Sequence, residues 1–192
     1  MPKLTIDKDV ELDLVEEIKL LGVMITSDLK WNVQCDLMCQ KAFSRLWMLK
    51  RLKPLGASRD DLIEIYRTQI RSVLEFSAPA WTPGLTKAHI RQLERVQKSA
   101  LAIILEEEYV SYKNAVNILD MKTLEERRHE LCFKFAMRAK ENDKYTNWFC
   151  QSETKAVETR SVKPDLKPVQ ARLRKFEKSP LFYLTKLLND KK

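Results

Sequence analysis

The sequence predicts a mainly α fold: a short N-terminal β-hairpin, then a helical bundle, then an extended basic C-terminal segment. Three observations point there. Only three of the 192 residues are Gly, against a usual share of ~7%, which leaves few positions for the φ > 0 turns that sandwiches, barrels and dinucleotide-binding folds need. Before residue 31, apolar and polar residues alternate with the period of a strand. From about Val33 the apolar period lengthens to that of a helix and holds over most of the remaining chain.

Within residues 1–31, Glu17 to Ile25 reads as one strand ending at Thr26-Ser27-Asp28, and Val10, Leu12 and Leu14 mark a second strand able to pair with it. Gly22 stands inside the strand pattern, where glycine marks either ordinary variation or the close approach of another backbone. A two-stranded ribbon alone is marginal in water, so it packs on the helices or joins a larger sheet. The first helix carries the stripe Leu37, Met38, Ala42, Leu46, Leu49 and Leu52 and stops at Pro54. Ser58 with Asp61 caps a second helix through Tyr66, Ile70 and Leu74, and Pro79 to Gly84 reads as a stiff loop. Thr86 caps a third helix through Ile90, Leu93, Val96 and Ala100. A short amphipathic piece spans Ser111 to Asp120, and Thr123 with Glu126 opens a fifth helix through Leu131, Phe135 and Ala139. From Gln151 to Lys178 the period is lost, and Ser179 to Leu188 is a brief apolar helix able to dock on the bundle. The organisation is therefore a hairpin (1–31), a three-helix bundle (32–108), further helices (109–150) and a basic extension (151–192).

The net charge is +8. Residues 151–192 hold 11 basic and 5 acidic groups, so most of the excess lies there. Such a segment is either a phosphate-binding arm or a solvated tail. The bundle adds cations at helical spacing: Lys41, Arg45, Lys50 and Arg51 on the first helix, Arg67 and Arg71 on the second, Arg91, Arg95 and Lys98 on the third. Each set forms a stripe, diluted by Glu64, Glu75 and Glu94, and Trp31, Trp47 and Trp81 are available for packing or stacking. These stripes are either solvated faces or a nucleic-acid surface.

Enzyme chemistry finds little support. His89 and His129 read as surface histidines without a nucleophile or carboxylate at a useful spacing. Cys35 and Cys39 lie four apart on one helix, but no second ligand pair follows at a zinc spacing. Asp60-Asp61 opens a helix, where acids complement the dipole, rather than crowning a hairpin where two metals would sit. No catalytic residue, metal or cofactor is expected. Four cysteines without a secretory leader predict free thiols in a reducing, intracellular setting, and no apolar run is long enough to span a membrane.

The order of several motifs resembles the C-terminal part of non-LTR retrotransposon reverse transcriptases. Ile18 to Ile25 followed by Leu29-Lys30-Trp31 is similar to the family's primer-grip segment, and Cys39 to Leu52 to its first thumb helix. Tyr66 to Phe76 with Pro79 to Thr86, then Leu93 to Leu101, are similar to successive thumb signatures. Leu124 to Arg128 and Ser179 to Asn189 resemble stretches near the end of such reading frames. Ser99 stands where a second basic residue is usual, and Phe76 replaces a common Tyr.

The resemblance implies a hairpin and thumb that hold RNA or an RNA–DNA duplex by its backbone, with Leu21 and Gly22 at the grip and the basic stripes on the phosphates. It also implies no catalysis by this chain, because the palm aspartates on which the family's polymerase activity depends would lie upstream of Met1. Two other readings remain open. One is a structural or self-associating helical module that has lost nucleic-acid function. The other is a thumb working with a palm on another chain.

Overall fold

The computed structural model of the chain describes residues 5–7, 10–11, 14–149, 166 and 173–190. Most are helical, preceded by short antiparallel strands. The predicted basic extension falls largely outside the described residues.

The stretch from Glu17 folds back on itself instead of running on as one strand. Strands β3 (Glu17–Leu20) and β4 (Val23–Thr26) pair antiparallel, with Lys19 opposite Met24 and Leu20 opposite Val23. Leu21 (φ 46°) and Gly22 (φ 88°) form the two-residue turn, both left-handed as the twist of a tight hairpin demands. Gly22 is therefore a turn residue, not a strand interior. Leu21 takes a conformation costly for a side chain, and because Leu stands where Asn or Asp is usual the sequence carries no Asn-Gly or Asp-Gly signal here. The upstream strand pairs elsewhere: β2 (Val10–Glu11) joins β1 (Thr5–Asp7).

The bundle follows the apolar periods. Helix α1 (Asn32–Leu52) buries Cys35, Met38, Cys39, Ala42, Leu46 and Leu49. Its neighbour α5 (Lys87–Leu105) buries Leu93, Val96, Ala100, Leu101 and Ile104. The two run parallel, tied at one end by His89 Nε2 and Asn32 Oδ1 (2.7 Å) and at the other by Lys53 Nζ on the Ile104 carbonyl. Between them the chain returns antiparallel through α2 (Arg59–Ile65), a π-helical segment (Tyr66–Arg71) and α3 (Ser72–Glu75), burying Leu62, Tyr66, Ile70 and Leu74. Each such large aliphatic or aromatic side chain contributes roughly 1.5–3 kcal/mol by leaving water.

The capping signals work as read. Ser58 Oγ accepts the Asp61 N–H while the Asp61 carboxylate accepts the Ser58 N–H. Thr123 and Glu126 make the same reciprocal pair at the start of α7 (Leu124–Glu141), and Ser111 caps α6 (Tyr112–Ile118). At α5 the partner of Thr86 is His89, whose Nδ1 accepts the Thr86 N–H (3.3 Å). His89 is thus buried, not a surface residue, because both ring nitrogens are engaged. Pro79 to Gly84 is helical, not a loop: α4 (Ala78–Trp81) runs into a 3₁₀ turn, and Pro79 sits in the first turn, where its missing N–H costs nothing. Trp81 is fully buried and donates Nε1–H to the Phe76 carbonyl (2.8 Å).

After the short helix α8 (Arg174–Glu177), helix α9 (Pro180–Asp190) docks on α7, where Leu184 and Leu187 join Cys132, Ala136 and Ala139 in a second apolar cluster. Asn189 clamps Leu166 by its backbone, accepting the N–H and donating to the C=O, each at 3.2 Å.

Candidate functional site

The hairpin is held over α1 by Gln34, a buried side chain whose Oε1 accepts the Met24 N–H (2.8 Å). That tie leaves a groove of about 690 Å³ between the hairpin, α1 and α3. Lys19 and Gly22 line it from the hairpin, Lys41 and Arg45 from α1, Ser72 and Phe76 from α3. A Cβ on Gly22 would approach Phe76 Cε1 to 3.1 Å, so the neighbour that comes close to this glycine is a side chain of the chain itself. Leu21, 88% exposed, projects from the hairpin tip.

A second groove, about 570 Å³, lies between the second half of α1 and the end of α2 with the π segment. Trp47, Met48 and Arg51 face Ile65 and Gln69 across it. Between the two grooves the Arg45 guanidinium reaches over and donates to the Gln69 carbonyl. Gln69 lies in the π segment, whose wider turn releases carbonyls from the helical ladder. Thr68 and Ser72 support that irregularity by donating back to the Glu64 and Thr68 carbonyls.

The predicted cations therefore separate. Lys41 and Arg45 meet Lys19 in the first groove, and Arg51 lines the second. Lys50 and Arg67 are exposed on α1 and the π segment. Arg71 is drawn inward to Glu75 (3.4 Å). Arg91, Arg95 and Lys98 are exposed on α5, which contributes no lining to either groove, and the Lys98 ammonium sits 5.3 Å from the centre of the Tyr112 ring.

Two of the three acids that dilute the stripes are turned away from solvent. Glu75 accepts from Arg127, and Glu94 accepts the backbone N–H groups of Leu124 and Glu125 and the Tyr112 hydroxyl, closing the start of α7. Meanwhile α1 from Lys41 to Leu52 carries four cations and no carboxylate. The exposed second half of α1 is thus more positive than the sequence count around it suggests.

Other candidates are structural. Cys35, Cys39 and Cys132 are buried, and burial pushes their thiols up to about 12, 11 and 11. Cys150 lies outside the described residues. Among the described residues, no three His, Cys, Asp or Glu side chains are arranged to hold a metal ion. Asp61 is occupied with its cap. Arg128 is 1% exposed, with Glu94 3.9 Å away.

Comparison of the chain with protein-family models, with curated proteins and with solved structures returned no match. The geometry stands alone. Among the described residues no helix is long and apolar enough to cross a membrane.

One groove residue escapes the sequence reading. Along a single strand Lys19 would share a face with Leu21 and Val23. The turn at Leu21-Gly22 instead pairs Lys19 with Met24, which lines the groove, so both side chains face it. The missed signal is the turn.

Proposed function

We propose that this chain holds RNA or an RNA–DNA duplex by its phosphate backbone, without catalysing polymerisation, in the manner of the primer-grip and thumb region that its motifs resemble. The observation that carries the reading is the first groove. Lys19 from the hairpin and Lys41 and Arg45 from α1 converge on one open cleft beside a run of α1 whose only charges are positive. Cations suit backbone contacts, which position a strand without reading it, and Gln40 is the one exposed amide in the lining. On this reading the chain belongs to a retrotransposon-derived reverse transcriptase, alone as a non-catalytic derivative or beside a palm on another chain, inside the cell.

A filter-binding titration of an RNA–DNA hybrid across salt concentrations tests it. Each phosphate contact should contribute about −0.7 to −0.9 to the slope of log K against log salt. Three groove cations predict a slope of about −2 or steeper. A flat dependence, or no binding at about 50 mM salt, overturns the reading.

A second reading draws on the hairpin's outer face. Ile18 and Leu20 are each more than half exposed, with Leu14, Val15 and Leu21 beside them in sequence. An uncovered apolar ribbon of this kind favours a protein-interaction or self-associating module. A monomeric sedimentation profile over the micromolar range would count against it.

A further inference from the structure

Of the chain's four tryptophans, three have partners within the chain, Trp148 lying beside Tyr145 with ring centroids 4.8 Å apart. Trp81 is fully buried, and Trp31 packs against the main core with its indole on Gly84. Trp47 is left 58% exposed at the rim of the second groove. Arg51, four residues on, stands one turn along the same side of α1, and Gln69 lies opposite. The floor between them is apolar, built by Met48, Leu52 and Ile65.

We propose that this second groove binds an unpaired nucleotide, with its base stacked on Trp47 and its phosphate met by Arg51. This rests on the backbone-binding reading above and adds to it a preference for a single-stranded extension next to a duplex. Three features select this occupant over an apolar peptide. The groove neighbours the one that holds Lys41 and Arg45, because Arg45 of the first groove donates to the carbonyl of Gln69, which lines the second. The flanking α1 charges, Lys50 and Arg51, are both positive, which matches a polyanion. An exposed indole beside a guanidinium supplies the stacking platform and cation that sequence-tolerant single-strand sites combine. A volume of about 570 Å³ is enough for one nucleotide.

The test uses the full chain and two fluorescein-labelled probes of equal duplex length, a blunt RNA–DNA hybrid and the same hybrid with a short single-stranded overhang. Wild type should prefer the overhang probe. Trp47→Ala should weaken overhang binding by about tenfold, the loss of roughly one stacked base, with a clearly smaller loss on the blunt hybrid and the salt slope unaltered. Trp47→Phe, which keeps a ring, should recover most of the affinity, and overhang binding should quench tryptophan emission in wild type but not in Trp47→Ala. Equal losses on both probes, or none, overturn the inference while leaving backbone binding in place. Failure of wild type to bind either probe overturns both. A Trp47→Ala effect confined to self-association in sedimentation also overturns it, by assigning the groove to a second copy of the chain.

Discussion

Arg127 grips the Glu75 carboxylate with two parallel bonds, Nε at 3.0 Å and Nη2 at 3.2 Å, and so fastens α7 to the end of α3. Arg71 approaches the same carboxylate from one turn back on the other side, and Glu130 steadies Arg127 from within α7. Glu75 is largely shielded, so its charge is balanced by two guanidiniums rather than by water. Because α3 also supplies Ser72 and Phe76 to the first groove, this clamp sets the position of one groove wall. Removing the charge leaves Arg71 and Arg127 without this shared counter-charge, Arg127 keeping only its contact with Glu130. Glu75→Gln should therefore destabilise the fold by about 1.5–3 kcal/mol, read as a lower urea midpoint at unchanged slope.

Gly84 is required by its neighbour rather than by its backbone. A Cβ there would lie 2.2 Å from Trp31 Nε1 and 2.4 Å from Cδ1. Gly84→Ala should cost about 1–3 kcal/mol through overpacking, and the cost should shrink in a Trp31→Ala background. Gly56 makes the opposite case: φ is +87° and nothing lies within 4 Å of an added Cβ. Gly56→Ala should cost about 1–2 kcal/mol from backbone strain alone, with no dependence on Trp31.

His89 gives the fold a pH dependence of definite sign. Burial holds its pKa below the ordinary value of 6.5, with Asp36 pulling weakly the other way. The unfolded chain then binds a proton that the folded chain resists, so stability is full above about pH 6.5 and falls as pH drops toward the folded pKa. Denaturation midpoints measured between pH 7 and pH 5 should decline in wild type and decline less in His89→Gln.

The buried thiols predict a labelling pattern. Burial keeps Cys35, Cys39 and Cys132 protonated and inaccessible. A thiol reagent should modify these three only at the rate of unfolding, as peptide mass spectrometry resolves. Rapid native-state modification of Cys35 would contradict the packing of α1 against the core.

Much of the fold was legible because its signals are local. Ser58 with Asp61, Ser111, and Thr123 with Glu126 announce helix starts, and the apolar period of α1 and α5 names most of the buried residues. What was not legible depends on contacts distant in sequence. The turn at Leu21-Gly22 lacks the residues that usually betray it, so the register of β3 and β4, and with it the direction of Lys19, had no local sign. His89 and Arg128 look like surface residues in their own helices and are buried by partners up to 57 positions away, as the His89–Asn32 bond shows. The site divides in the same way. Spacing alone put three cation stripes on three helices, whereas packing brings only Lys41, Arg45 and Arg51 to the α1 crevice and ties Arg71 to Glu75.

That division is the most direct point of attack. Lys19 and Lys41 are exposed and share the first groove, while Arg91 and Arg95 are equally exposed on α5, outside it. Salt titrations of hybrid binding should be run on Lys19→Gln/Lys41→Gln and on Arg91→Gln/Arg95→Gln. The account predicts that the groove pair weakens binding and flattens the salt slope by about 1.5, whereas the α5 pair leaves the slope near wild type. An unchanged slope in the groove pair, or a larger loss from the α5 pair, would contradict it.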